Sequence, residues 1–560
     1  MDNTLKVALD TIQMGKQAIV FAPSKASAEK TAEDLSLLMM GNGVELLDLE
    51  AQVLKAVSPA TRQCKRLAKI VKKGVAFHHA GLANKQRELI EDEFRAGRIK
   101  VICATPTLAA GLSMPAFRVI LKSLKRFSGK WGMDWIPVLE YMQMAGRAGR
   151  PEHEDYGEAI SVARDEKDKE EIYQKYVCGV PEDIYSKLAA EPVLRTYLLS
   201  LIASGIIRTE HEMKDFFRST FWAHQYQDFT ELENIMDRML GLLVKWGFVR
   251  RLGDLRLGAD GFVTTEPVED EKEIVENSEK DFGFEKASSI LAKVKKIPGL
   301  VGGKNKKTDD EKSDMLKATL IGKRVSQLYL DPLTAKHLID ALHEANKKDS
   351  RTAFAYLQIL SNTLEMRPRL RIKSKEQDWI QEELLAHYEE LLEEEPAEYD
   401  YSYHDFMDSI KTTLFFEAWT NEVGEDLLLE KFNVRPGEIK VKLDTADWLI
   451  YSSEEMADLL NYRDLVSELR KLRLRVKNGA KEELLVLLKL KNIGRKRARR
   501  MFNNGIKDMG DLKRIDLATL GQILGKKVAE DVKSQLGQEV KEVPAGRRKG
   551  QLGLGKYKLE

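Results

Sequence analysis

Five short apolar runs, at residues 18–22, 75–77, 100–104, 117–121 and 159–163, alternate with stretches of helical periodicity such as 26–39 and 84–96. Strands and helices that alternate in this way bury their apolar faces as a parallel sheet with crossover helices. An α/β domain is therefore expected over residues 1–180. In such sheets the loops that carry chemistry lie just past the C-terminal ends of the strands, so those loops are where functional residues are sought.

A chain of 560 residues has room for several domains. Its hydrophobic content of 43% supports packed cores. The net charge of +1 gives no global attraction to nucleic acid, so any basic surface is local. The three cysteines, Cys64, Cys103 and Cys178, are far apart and form no CxxC pair. That argues against a zinc site and a disulfide framework. There is no signal-peptide pattern and no long uncharged apolar run, so a cytoplasmic multidomain protein is expected.

The most specific string is QMAGRAGRP at residues 143–151. On a helix, Arg147 and Arg150 would share one face. Guanidiniums stay charged and offer a planar fork of donors to phosphate oxygens, so a pair can offset charge developing on a transferred phosphoryl group. The string resembles motif VI of superfamily 2 helicases, and more narrowly the Ski-like branch that includes archaeal relatives of HelQ and of the polymerase-theta helicase. The resemblance implies that Arg147 and Arg150 are arginine fingers that reach the nucleotide. It also implies that Gln143 links nucleotide to nucleic acid.

Other loops carry further parts of that resemblance. VFAPSKASAE at 20–29 resembles motif IV, which implies strand contacts by Ser24 and Lys25; by itself Ser24 reads as an ordinary helix N-cap. HHAGL at 78–82 resembles motif IVa and implies that His79 lies near the tracked strand. ATPTLAAGLSMP at 104–115 resembles motif V, implying that Thr105 holds a phosphate of the nucleic acid and Gly111 lies close to the nucleotide. The family often has Asn where this chain has Ser113. Residues 122–137, KSLKRFSGKWGMDWIP, read as a hairpin turning at Gly129 and Gly132, with Phe127, Trp131 and Trp135 nearby. Strand-separating hairpins occupy this place in the resembling helicases, so Phe127 and Trp131 are expected to touch DNA; composition alone would put the tryptophans in a core.

A P-loop, GxxxxGK[ST], is absent. The Gly-Lys pairs at Gly15, Gly129, Gly303, Gly322, Gly525 and Gly555 are never followed by Ser or Thr. Asp165-Glu166-Lys167-Asp168 mimics a DExD motif, but it follows motif VI in a charged run, RDEKDKEE. By the resemblance, residue 1 begins about where the second RecA-like domain begins. The expectation is a C-terminal helicase half, lacking the first RecA-like domain, with ATP and Mg²⁺ held mainly by that absent part and turnover requiring a partner chain with a P-loop and DExH motif.

The expected architecture is multidomain: an α/β RecA-like domain (1–180), a winged helix (181–330), a helical ratchet domain (331–460), a helix-hairpin-helix domain (461–540) and a basic tail (541–560). In the winged helix, helical patterns at 194–204, 211–222 and 232–246 precede a hairpin signal at 248–257 around Gly253-Asp254. Double-stranded DNA binding and bracing of the motor are both open to it. Residues 266–312 are dense in charge and read as a mostly flexible insert. The run 389–395 reads as a solvated acidic face. The helix at 403–422 carries Lys411 and Trp419, which the resemblance places on a ratchet helix touching the translocating strand. At 491–500, KNIGRKRARR, a glycine turn enters a basic helix. Free amides near Gly494 and the charges of Arg495, Arg497, Arg499 and Arg500 suit a phosphate backbone. A second, weaker copy is read at 515–528. The spacing Gln551, Leu554, Tyr557 resembles a sliding-clamp-binding peptide, against the simpler reading of a disordered basic tail.

The resemblance covers nearly the whole chain outside the insert. It implies an ATP-dependent 3′–5′ DNA helicase that acts on single-stranded, forked or damaged DNA. A DNA-binding or regulatory subunit without catalysis, and an RNA helicase of the same branch, are the alternatives.

Overall fold

The computed structural model describes residues 2–39, 46–57, 60–109, 114–127, 132–150, 154–226, 228–252 and 315–537. The insert at 266–312, Gly111, Ser113, Trp131 and the tail with Gln551, Leu554 and Tyr557 lie outside them. The chain forms two compact units. One comprises residues 1–184 and 337–560, the other residues 185–336.

The first unit opens with α1 (Asn3–Gln13), β1 (Ala18–Phe21), α2 (Lys25–Leu38), α3 (Leu47–Ala56), α4 (Arg62–Val71), β2 (Val75–His78), α5 (Asn84–Arg95) and β3 (Val101–Ala104). It continues through β4 (Arg118–Leu121), β5 (Lys125–Phe127), β6 (Met133–Trp135), α6 (Val138–Ala145), β7 (Glu158–Ser161) and α7 (Glu166–Ile172). Five strands form one parallel sheet in the order β2-β3-β1-β4-β7. Every residue of β1 to β4 is buried. Strands covered on both faces read as continuous apolar runs, which is why the sequence shows them plainly. The DExD look-alike is structural: Asp165 caps α7 by accepting from the Asp168 amide, and Asp168 pairs with Lys125 and Arg164.

The second unit holds α8 (Glu191–Ala203), α9 (Glu210–Arg218), α10 (Phe221–Tyr226), α11 (Phe229–Lys245), β8 (Val249–Arg251), β9 (Leu316–Ala318) and α12 (Leu320–Gln327). The helix expected over 211–222 is split, because α9 ends at Ser219 and Thr220. The expected hairpin is also different. β8 pairs with β9, Arg250 opposite Lys317, so the antiparallel partner comes from beyond the insert. A two-residue turn at Gly253-Asp254 does not make this ribbon. Inside the unit Arg195 makes a buried two-pronged pair with Asp331.

The unit boundary falls within α13 (Pro332–Lys347). The first unit then resumes with α14 (Ala353–Ser361), α15 (Gln377–Ala386), α16 (Tyr403–Thr420), α17 (Glu425–Phe432), α18 (Pro436–Leu459) and α19 (Arg463–Asn478). Twelve of the eighteen residues of α16 are buried, so it is a central helix and shows little face to solvent. The acidic run is not simply solvated. Glu393 accepts from Gln358 and Asn362, and Glu390 from Thr352.

Residues 482–489 form two 3₁₀ turns, Glu482–Leu484 and Leu487–Lys489. Then come α20 (Arg495–Asn503), α21 (Met509–Arg514), α22 (Leu517–Leu524) and α23 (Lys526–Gln535). Their apolar residues share one core with Leu484, Leu487, Met501, Leu512, Leu520 and Val532. Within 515–528, α22 and α23 meet at a turn at Gly525.

Candidate functional site

The motif VI arginines lie past the end of α6. The helix stops at Ala145, and Gly149 has φ of 93°, a left-handed backbone that favours glycine. Gly157 packs so close that a Cβ on it would stand 2.1 Å from the Gly149 nitrogen. The expected shared helix face is therefore absent. Both arginines instead turn back onto the motif V segment. Arg147 Nη2 donates to the Ala109 carbonyl, and its Nε is buried without a hydrogen-bond partner. Arg150 Nε donates to the Pro115 carbonyl over 3.2 Å, and its Nη2 donates to Gln17 Oε1. Burial pushes the Arg150 guanidinium down, with the Glu154 charge opposing that shift. Among the described residues neither arginine has a salt bridge. A guanidinium has five donors, so each keeps donors for an anion.

Sequence reasoning missed Gln17. Its amide donates to the Phe94 and Ile99 carbonyls while its oxygen takes Arg150. It orients Arg150, and its only signal is a glutamine at the mouth of an apolar strand.

Beyond the C-terminal ends of β1, β3 and β4 lies a cleft of about 470 Å³. Pro23, Thr107, Ser123, Arg126 and Gln143 contribute to its wall. β1 is the strand on whose two sides the chain builds in opposite directions, and ligands of open α/β sheets bind outside strand ends at such a switch point. Gln143 is exposed there. Thr105 is not presented: it is 7% exposed, and its hydroxyl lies 2.9 Å from that of the exposed Thr107.

Motif IV and IVa residues behave differently from expectation. Ser24 is exposed and caps α2 by accepting from the Ser27 amide. Lys25 is paired with Glu438 of α18. His79 is fully buried, so contact with a strand is excluded in this conformation. Its Nε2 lies 3.1 Å from Glu29 Oε1 and its Nδ1 accepts from the Gly81 amide. Burial lowers its pKa, which fits a neutral ring with both nitrogens satisfied.

The hairpin exists, with Phe127 of β5 opposite Met133 of β6. Trp135 is at its base, half-buried, under the Lys125 ammonium at 3.8 Å and beside Tyr176.

Lys411 and Trp419 do not form a strand-facing pair. Lys411 is 2% exposed; its ammonium donates to the Arg371 carbonyl and pairs with Glu376. Trp419 donates to the Val476 carbonyl over 2.7 Å and carries the Arg495 guanidinium on its ring at 4.3 Å. Both serve packing.

The basic helix divides likewise. Arg495 is spent on Trp419 and the Gly479 carbonyl. Arg499 clasps Glu422 and Glu483. The phosphate role expected of those two is not compatible with these contacts. Gly494, Lys496, Arg497 and Arg500 are exposed. Arg497 donates to the Asn492 carbonyl, and no side chain caps the α20 amides. No group of three His, Cys, Asp or Glu among the described residues could hold a metal ion, and no described helix is long and apolar enough to cross a membrane.

Comparison with known proteins shows what the chain is similar to. Residues 2–152 match the helicase conserved C-terminal domain, 157–250 a helix-turn-helix domain, and 354–479 domain 4 of archaeal helicases. The chain is 35% identical over 551 residues to the ATP-dependent DNA helicase Hel308 of Methanococcus vannielii, covering 96% of this chain and 68% of that relative. It is 33% identical to the Hel308 of Methanocella arvoryzae, covering 97% and 66%, and 35% identical to that of Pyrococcus horikoshii, covering 97% and 67%. The chain thus spans about two thirds of the length of these relatives.

Proposed function

This chain belongs to the Hel308 family of archaeal superfamily 2 DNA helicases, and on that premise we propose that it supplies the arginine fingers and much of the DNA grip of an ATP-driven helicase. The observation that carries this reading is the state of Arg147 and Arg150, fixed on neutral acceptors and free of carboxylates. A guanidinium so placed can stabilise the charge that spreads over the transferred phosphoryl oxygens. ATP and Mg²⁺ are taken by a P-loop and acidic motif that residues 1–560 do not contain, on a partner chain or domain. Gln143, exposed at the cleft, passes the nucleotide state to the strand.

The motion is translocation along single-stranded DNA from 3′ to 5′, with the β5–β6 hairpin parting the duplex. The HelQ-like branch and action on forked DNA follow from the same resemblance. Unwinding tests the reading. With a P-loop-bearing RecA-like domain added, the chain should open a duplex with a 3′ tail and leave one with only a 5′ tail intact. The opposite preference would refute the polarity, and unwinding of matched RNA but not DNA would favour an RNA helicase.

A further inference from the structure

Residues 367–375, RPRLRIKSK, place a cation at every second position. The backbone from 369 to 373 is neither helix nor strand, yet it is pinned at regular points. The Leu370 amide donates to Thr412 Oγ1 over 3.0 Å and the Ile372 amide to Asp408 Oδ1 over 2.8 Å. The Arg371 carbonyl accepts from Lys411 Nζ and the Pro368 carbonyl from Lys442 Nζ, each at 2.9 Å. Three pins come from α16 and one from α18. They meet backbone needs that a sheet neighbour would otherwise meet.

The cations then split into two sets. Arg369 turns inward onto the Ser361 and Thr363 carbonyls, and Arg367 pairs with Asp405. Arg371, Lys373 and Lys375 are exposed and have no ion pair among the described residues. The nearby carboxylates are engaged elsewhere: Asp408 accepts the Ile372 amide, and Glu376 takes Lys411 and the Lys373 amide.

We propose that this strap is a phosphate-binding edge for a single DNA strand, with Arg371, Lys373 and Lys375 as contacts and Lys411 as the residue that positions them. Along an extended backbone, residues two apart, as Arg371 and Lys373 are, recur every ~6.6 Å, similar to the spacing of phosphates on a stretched strand, and Lys375 follows in the 3₁₀ turn Ser374–Glu376. Such contacts hold a strand without reading its sequence. Buried Lys411 thus acts on DNA through the strap, which explains an ammonium spent on a backbone carbonyl.

The inference rests on the reading that the chain grips single-stranded DNA. Affinity of the full chain for labelled oligothymidine, measured across salt concentrations, tests it. Arg371→Ala with Lys373→Ala and Lys375→Ala should weaken binding and make the plot of log affinity against log salt shallower by about 2, at ~0.7 per lost phosphate contact. Lys411→Met should also flatten the slope, and it should change nothing further in the triple-alanine background. Binding by the unaltered chain with an unchanged slope in the triple variant overturns the strap alone. Absence of binding by the unaltered chain at low salt overturns the grip and the strap together. Should Lys411→Met fail to fold, judged by circular dichroism, the triple variant decides alone.

Discussion

Arg435 Nε stands 3.1 Å from Glu29 Oε1, joining the start of α18 to the helix that follows the first strand. Glu29 also takes His79, Gln63 and Arg66. Burial raises its pKa, but the His79 hydrogen bond and the Arg435 charge outweigh that and hold the carboxyl well below the usual range. Beside this contact the Gly437 amide donates to the Gly81 carbonyl, and a Cβ on Gly437 would stand 2.2 Å from the Ala80 oxygen. Motif IVa and α18 are thus clamped together.

Arg435→Gln removes one partner of a buried charge while leaving Arg66 in place. A loss of about 2–3 kcal/mol is expected, at or below the usual cost of breaking a buried pair. The urea midpoint measures it; an unchanged midpoint would show that the clamp contributes nothing.

Lys25 and Glu438 are each about one third exposed, which permits a charge swap. Lys25→Glu should cost up to about 1 kcal/mol, and adding Glu438→Lys should recover it apart from the hydrogen bond that Glu438 accepts from the Arg435 amide. Were Lys25 a phosphate contact instead, the swapped protein would keep a DNA-binding defect after its stability returned.

Lys442 gives a pH signature. Burial lowers its amine from 10.5 to about 8. Between those values the unfolded chain holds a proton that the folded chain has released, so stability attributable to Lys442 rises with pH. The thermal midpoint relative to Lys442→Met should climb with pH across this window and stay level, at its lower value, below about 8. A flat difference would contradict the burial.

Neighbouring arginines of α20 should separate grip from packing. Arg499→Ala breaks pairs with Glu422 and Glu483 and should cost about 2 kcal/mol. Arg500→Ala should leave stability within about 0.5 kcal/mol while reducing the salt slope of DNA binding by ~0.7. Reversed effects would exchange the two roles.

The sheet was legible because strands buried on both faces leave uninterrupted apolar runs, and the expected limits at 75–77 and 100–104 fall within a residue of β2 and β3. The QMAGRAGRP string was legible as a helicase signature, though its geometry was not. Its turn depends on Gly149 meeting Gly157, which periodicity does not encode. Other misreadings share one cause: the deciding contact lies far along the chain. β8 finds its partner beyond a long insert. Lys25 finds Glu438, and Arg499 finds Glu422. Lys411 and Trp419 looked like a surface pair because a helix covered on most sides shows no clear polar face, and only the packed neighbours reveal that both are inside.

ATP turnover in a simple mixing assay tests the central claim most directly. The chain alone should hydrolyse ATP negligibly. Adding a RecA-like domain with a P-loop and a DExH motif should produce DNA-stimulated hydrolysis, and Arg150→Ala in this chain should abolish it with DNA binding intact. Brisk hydrolysis by the isolated chain, or full turnover by the Arg150→Ala mixture, would contradict the account.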